Sequence, residues 1–322
     1  MSDLSSGRES RTFGAPPRGE LLVVREEPFQ EDLTPYRQWL DLVRELPRPF
    51  QRVLEVGTRE VLLERIVGVD GLDLVDALTA AGRVLPLDVW LALALYWGEA
   101  LLRVPSTCEG WNTPAELGHL GVDVRGALVL SFDSPNHVLG RWWRNPDTET
   151  RAGGVSRVPD SMPPESGRLV TDLTEASRVY SLAATMLALL EGRRLFDHSG
   201  SAIGVFADIA MKGVQWGRRR NPECSSELQA VLRRATSLKP SARYPTIPEF
   251  IFAVREAVQI EPASEARMLD VLLGISPQLK TCLGSVDEAS LPESWKNGGV
   301  QVLQDKYLEC HVPLSALPLA SG

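Results

Sequence analysis

The chain has 322 residues, of which 43% are hydrophobic and 24% charged, and its formal net charge is −8. That composition is ordinary for a globular protein and excludes a wholly disordered chain, a collagen and a coiled-coil rod. The acidic balance repels nucleic acid and anionic membranes, so neither is the expected partner.

Residues 1–19 are rich in Ser, Arg, Gly and Pro and are expected to be disordered. They contain no apolar core of a secretory signal. Leu21 to Val24 predicts a short strand. Tyr36, Trp39, Leu40, Val43 and Leu46 recur at spacings of three and four and predict a helix ended by Pro47. Arg52–Val56 and Val61–Val67 read as strands separated by a turn at Gly57. Leu72–Ala81 predicts a helix closed by Gly82, and Pro86–Val104 a longer one, apolar nearly all round and therefore buried. That run is too short to span a bilayer.

Strands are predicted at Leu120–Val124 and Ala127–Phe132, within a loop-rich region over 105–170. Thr174 caps a second apolar helix, Ala176–Leu190, with Gly192 just past its end. Further helices are predicted at Ile203–Met211, Ser226–Ser237 and Ile247–Val258, the last with proline in its first turn. Residues 259–322 carry eight acidic and four basic residues; Arg267–Leu273 predicts one or two helical turns, and the region reads as an appendage packed on the main body or partly mobile. Cys108, Cys224, Cys282 and Cys310 are far apart, with no Cys-x-x-Cys spacing and only four His in the chain. Free thiols are expected, with no zinc site and no cofactor. A soluble, cytoplasmic setting follows.

A few strands followed by a mostly helical body make an α+β architecture. Four strings then stand out: Val69-Asp70-Gly71-Leu72-Asp73-Leu74; Met162-Pro163-Pro164-Glu165; Val179-Tyr180-Ser181-Leu182 with Leu189 to Phe196; and Leu228 to Arg234 with Lys239 to Pro245. In that order they resemble the protein kinase fold of bacterial Ser/Thr kinases. They look like its hinge, its Ala-Pro-Glu site, its buried large-lobe helix and its end segment. The resemblance implies a bilobal fold, with a reduced N-terminal lobe over 20–70, a helical C-terminal lobe over 71–258 and the acidic appendage over 259–322. It also implies a structural ion pair between Glu165 and Arg243.

Phosphoryl transfer in that family needs a Gly-rich loop, a strand Lys paired with a helix Glu, a catalytic Asp and Asn, and a metal-binding Asp. No Gly-x-Gly-x-x-Gly occurs here, and no Lys precedes Lys212. Arg25 falls in the Lys slot, where its planar fork does not replace an ammonium. Gln38 and Trp39 occupy the stretch of the helix Glu. Pro114 falls on the catalytic Asp and His119 on the Asn; Pro cannot accept a proton, and no Asp occurs between Pro105 and Gly121. Phe132 falls on the metal-binding Asp, with Asp133 one residue away and the only candidate for a cation. Arg178 stands where the family has an Asp that braces the catalytic loop, and a guanidinium cannot accept those hydrogen bonds.

The resemblance therefore implies a pseudokinase: a scaffold or regulator in bacterial signalling that binds a protein partner without ATP. One alternative is an atypical kinase or ATP-binding switch using Asp133; another is a structural subunit of a larger assembly. Two further stretches are candidate interfaces. Trp142-Trp143, flanked by Arg141 and Arg144, either forms a hot spot if exposed or fills the vacant nucleotide cleft if buried. Arg218-Arg219-Arg220 reads as a solvated basic loop first, and otherwise as a dock for an acidic or phosphorylated partner.

Overall fold

The computed structural model describes residues 23–26, 53–56, 61–64, 68–103, 117, 120–123, 128–130, 160–168, 174–199, 201–216 and 221–284. The predicted helix at 36–46 and the turn at Gly57 lie outside them. The described residues are mostly helical, with two small antiparallel sheets.

The first sheet has β1 (Val23–Glu26), β2 (Val53–Val56) and β3 (Val61–Glu64) in the order β1-β3-β2. Arg25 sits in β1 opposite Leu62. A register shift between Val53 and Glu55 interrupts the β2–β3 ladder. The second sheet has β4 (Gly68–Asp70), β5 (Leu120–Asp123) and β6 (Leu128–Leu130) in chain order. Gly68 faces Asp123 at so close an approach that a side chain at 68 would meet the Val122 carbonyl oxygen at 2.1 Å.

Asp70 ends β4 and caps α1 (Gly71–Ala81), accepting from the Asp73 N–H at 2.8 Å. Gly82, left-handed at φ 65°, ends that helix where the sequence predicts its end. α2 (Leu87–Leu102) buries Trp90, Leu93, Ala94, Trp97 and Leu101, as its apolar circumference requires. The Trp90 indole donates to the Met186 carbonyl oxygen at 2.8 Å, which gives its one polar atom a partner within the core.

α3 (Glu175–Glu191) is the centre of the body: every residue from Ser177 to Glu191 is buried. α1, α2, α5 (Ser226–Ala235) and α6 (Ile247–Ala257) all pack against it. Between α3 and α5 lies α4 (Ala202–Lys212). Gly192 ends α3 with φ 62°, and a Cβ there would lie 2.5 Å from the Arg83 carbonyl oxygen. The Thr79 hydroxyl donates to the Gly192 carbonyl oxygen at 2.8 Å, so the backbone cannot retreat without losing that bond. Gly192→Ala should therefore cost about 1–3 kcal/mol, combining a left-handed backbone with a backbone clash. A urea melt that leaves the midpoint unchanged would refute this account of the turn.

The C-terminal region differs most from expectation. α7 spans Glu265–Ile275, longer than the predicted one or two turns, and α8 (Pro277–Gly284) follows it. Met268, Leu272, Ile275 and Leu279 join the same hydrophobic core as the helices before them. Arg267 pairs with Asp88 at the start of α2, and the Ala263 N–H donates to the Asp88 carbonyl oxygen at 3.0 Å. Residues 263–284 thus pack on the main body through both apolar and polar contacts. No helix among the described residues is long and apolar enough to cross a membrane.

Candidate functional site

Among the described residues, a buried polar arrangement joins the short segment 160–168 to the helical body. A 3₁₀ turn at Pro164–Arg168 places Glu165 against the start of α3 and the segment after α5. Arg243 follows a second 3₁₀ turn, Pro240–Ala242, with an extended backbone that directs its side chain inward.

Arg243 and Glu165 form a bidentate pair, with Nη1–Oε1 at 2.7 Å and Nη2–Oε2 at 2.8 Å. The Arg243 side chain is 0% exposed and that of Glu165 13%. A guanidinium has five N–H donors, and the remaining bonds of this one go to the carbonyl oxygens of Ser237, Ala176 and Leu238. Ser177 donates its hydroxyl to Glu165 Oε1 at 2.7 Å and accepts from the Thr174 N–H, so one serine both caps α3 and holds the carboxylate. Burial pushes the Glu165 carboxyl up, but the bonds from Arg243 and Ser177 outweigh it and hold the group below its ordinary value.

Tyr180, on the next turn of α3, lies with its ring 4.8 Å from the Arg243 guanidinium carbon. Its hydroxyl is buried, and with those of Ser161 and Ser166 it has no hydrogen-bond partner among the described residues. Burial raises the phenol well above its usual range; Glu165 and Asp160 add to the rise and Arg243 opposes it. Tyr180 is therefore a neutral phenol at any ordinary pH.

The other end of the segment is fixed by Asp160. Its Oδ2 accepts from the Leu195 N–H at 2.6 Å, and its Oδ1 meets His198 Nε2 at 2.5 Å. Both side chains are mostly shielded, at 1% and 9% exposure. Residues 160–168 are thus fastened at two points, Asp160 to the connection after α3 and Glu165 to Arg243.

Arg178 points the other way along α3. It is 3% exposed; its Nη2 donates to the Leu101 carbonyl oxygen at 2.7 Å, and its Nη1 lies 3.5 Å from Glu175 Oε2. Burial pulls this guanidinium below its ordinary value and Glu175 opposes the shift. The donor meets the C-terminal end of α2, whose last carbonyls lack helical partners and carry partial negative charge.

The structure brings together Glu165 and Arg243 from the sequence-derived set, and places Arg178 on the same helix as their serine partner. Pro114, His119, Phe132, Asp133, Trp142, Trp143, Arg218, Arg219 and Arg220 lie outside the described residues, as does the side chain of Arg25. Asp160 and His198 stand 38 residues apart, and no local pattern in the sequence links them. Ser177 was readable only as a residue near a helix start. Among the described residues no group of three or more His, Cys, Asp or Glu side chains could hold a metal ion. This arrangement supplies fixed charge and holds the segment 160–168 in position. No protein-family model matches the chain, and no curated protein matches it significantly.

Proposed function

We propose that the chain is a kinase-like binding module without phosphoryl-transfer chemistry, acting on a protein partner as a scaffold or regulator in bacterial signalling. The observation that carries the reading is the environment of Arg178. In the slot where the resembled family has a loop-bracing Asp, a buried guanidinium donates to the end of α2. A donor in that place gives a catalytic loop nothing to hang its N–H groups on. The sequence adds support: it has no Gly-rich phosphate loop, no Lys before residue 212 and no Asp between Pro105 and Gly121. The Glu165–Arg243 pair fits a retained large-lobe scaffold, because it fastens the segment 160–168 to the helical body.

The test is a thermal-shift titration of the full chain with ATP, with and without magnesium or manganese. A ligand at a hundred times its dissociation constant stabilises the native state by about 2.7 kcal/mol, so real binding moves the midpoint by several degrees. A flat response up to millimolar ATP is expected. A metal-dependent rise would overturn the reading in favour of an ATP-binding switch, with Asp133→Ala as the variant that should abolish it.

A further inference from the structure

The charge of this acidic chain is unevenly distributed. Residues 212–243 hold eight basic residues and two acidic ones. Within that stretch Arg243 is neutralised by Glu165, but Arg233, Arg234 and Lys239 are exposed. Arg233 lies over the Trp216 ring at 4.4 Å and Arg234 over the Tyr244 ring at 4.1 Å. Stacking on a ring orders a guanidinium without cancelling its charge. Among the described residues, no carboxylate pairs with Arg233, Arg234 or Lys239. Lys212 bonds Asp208 one turn earlier at 2.7 Å, yet its side chain remains 60% exposed.

Apolar surface lies beside these charges. α4 exposes Ile203 and Met211, the latter 78% open, and Leu238 is 41% exposed. Gly213 ends α4 against Leu238: a Cβ at 213 would lie 2.9 Å from Leu238 Cδ2. Met211 and Lys212 immediately precede Gly213, and Lys239 follows Leu238, so this contact sets exposed apolar side chains of two segments close to Lys239, which has no paired carboxylate among the described residues, and to Lys212, which shares its charge with Asp208. Trp216 and Arg233 extend this surface along α5.

We propose that this surface, where the end of α4 meets the link after α5, docks an acidic segment of a partner protein that also carries an apolar side chain. Charge complementarity selects the partner: an anionic segment gains from Lys212, Arg233 and Lys239 and is steered to a basic stretch of an acidic molecule. Met211 and Leu238 supply the apolar contact that a bare polyanion would leave unused. The inference stands on this surface alone, so an ATP response would sink the pseudokinase reading and leave it intact.

The probe is a short fluorescein-labelled peptide of glutamates interrupted by one leucine and one phenylalanine, titrated with the full chain by fluorescence anisotropy. Two companion peptides replace every Glu with Gln, or both apolar residues with Ser. The glutamate peptide should bind, weaken with salt, and lose about tenfold or more on Lys212→Glu with Lys239→Glu. The Ser peptide, and the Met211→Ser chain, should each bind more weakly than their parents. Circular dichroism confirms that each variant is folded; should the double charge reversal fail to fold, the salt dependence and Met211→Ser still decide the matter. Equal binding of the Gln peptide, or indifference to both sets of variants, would overturn the proposal. So would a large gain in peptide affinity when Asp287, Glu288, Glu293, Asp305 and Glu309 are changed to their amides, because the occupant would then be this chain's own C-terminal segment.

Discussion

Arg243→Met should destabilise the fold by about 3–5 kcal/mol, since removing one partner of a buried pair leaves the other charge uncompensated. Here the loss extends beyond Glu165. The same guanidinium also serves the carbonyl oxygens of Ser237, Ala176 and Leu238, and each buried acceptor left without a donor costs about 1–3 kcal/mol where no water reaches it. Glu165→Gln should cost less, because the amide oxygen still accepts from Arg243 and Ser177. The combination of Arg243→Met with Glu165→Leu should cost less than the sum of the separate changes, as residues in one network couple. Urea denaturation of the native chain, Arg243→Met, Glu165→Leu and the double variant closes the cycle and measures this directly. Additivity would mean that the two side chains act independently, against the bidentate geometry.

The same pair carries a pH signature. The folded-state pKa of Glu165 is held below its unfolded value, so its contribution is present above the unfolded value and is lost as pH falls through the folded one. The stability gap between the native chain and Glu165→Gln should therefore be constant near neutrality. It should then shrink as pH drops below about 4.3, the ordinary glutamate value. A gap that instead widened in acid would reverse the assignment of the sign.

What the sequence makes legible is what local rules govern. The ends of α1 and α3 are readable because a helix that stops in a left-handed residue selects glycine, and Gly82 and Gly192 stand there. The burial of α2 is readable because its apolar residues leave no polar face to turn toward water. The Glu165–Arg243 pair was accessible only through resemblance; nothing local connects residues 78 apart. Asp160 and His198 escaped for the same reason, with no resemblance to supply the link. The extent of α7 was missed differently. Gly274, near its end, lowers helix propensity by about 1 kcal/mol relative to Ala, yet Met268, Leu272 and Ile275 pack into the core and carry the helix past it. The basic surface near α4 and α5 was half visible. The charges could be counted, but the contact of Gly213 with Leu238 that unites them with apolar side chains could not.

Arg178 offers the sharpest link between stability and the functional reading. Arg178→Asp installs the residue type that the resembled kinases carry at this place. If the surroundings still matched that family, the variant would be tolerated and would be a step toward recovered nucleotide binding. The structure gives the opposite expectation. An aspartate here would be buried near the negative end of α2 with Glu175 one turn away, and both disfavour its charge. The loss should reach about 3–5 kcal/mol or more, the scale of an uncompensated buried charge. Arg178→Met keeps most of the stem's packing and removes the bonds to Leu101 and Glu175 without placing a new charge in the site, and should cost only about 1–3 kcal/mol. Urea midpoints rank the two, and the same ATP titration reads function. An Arg178→Asp chain as stable as the native protein, or one that gains a metal-dependent response to ATP, would show that the slot still accepts the bracing carboxylate. The reading of this chain as a module that has lost phosphoryl transfer would then fall.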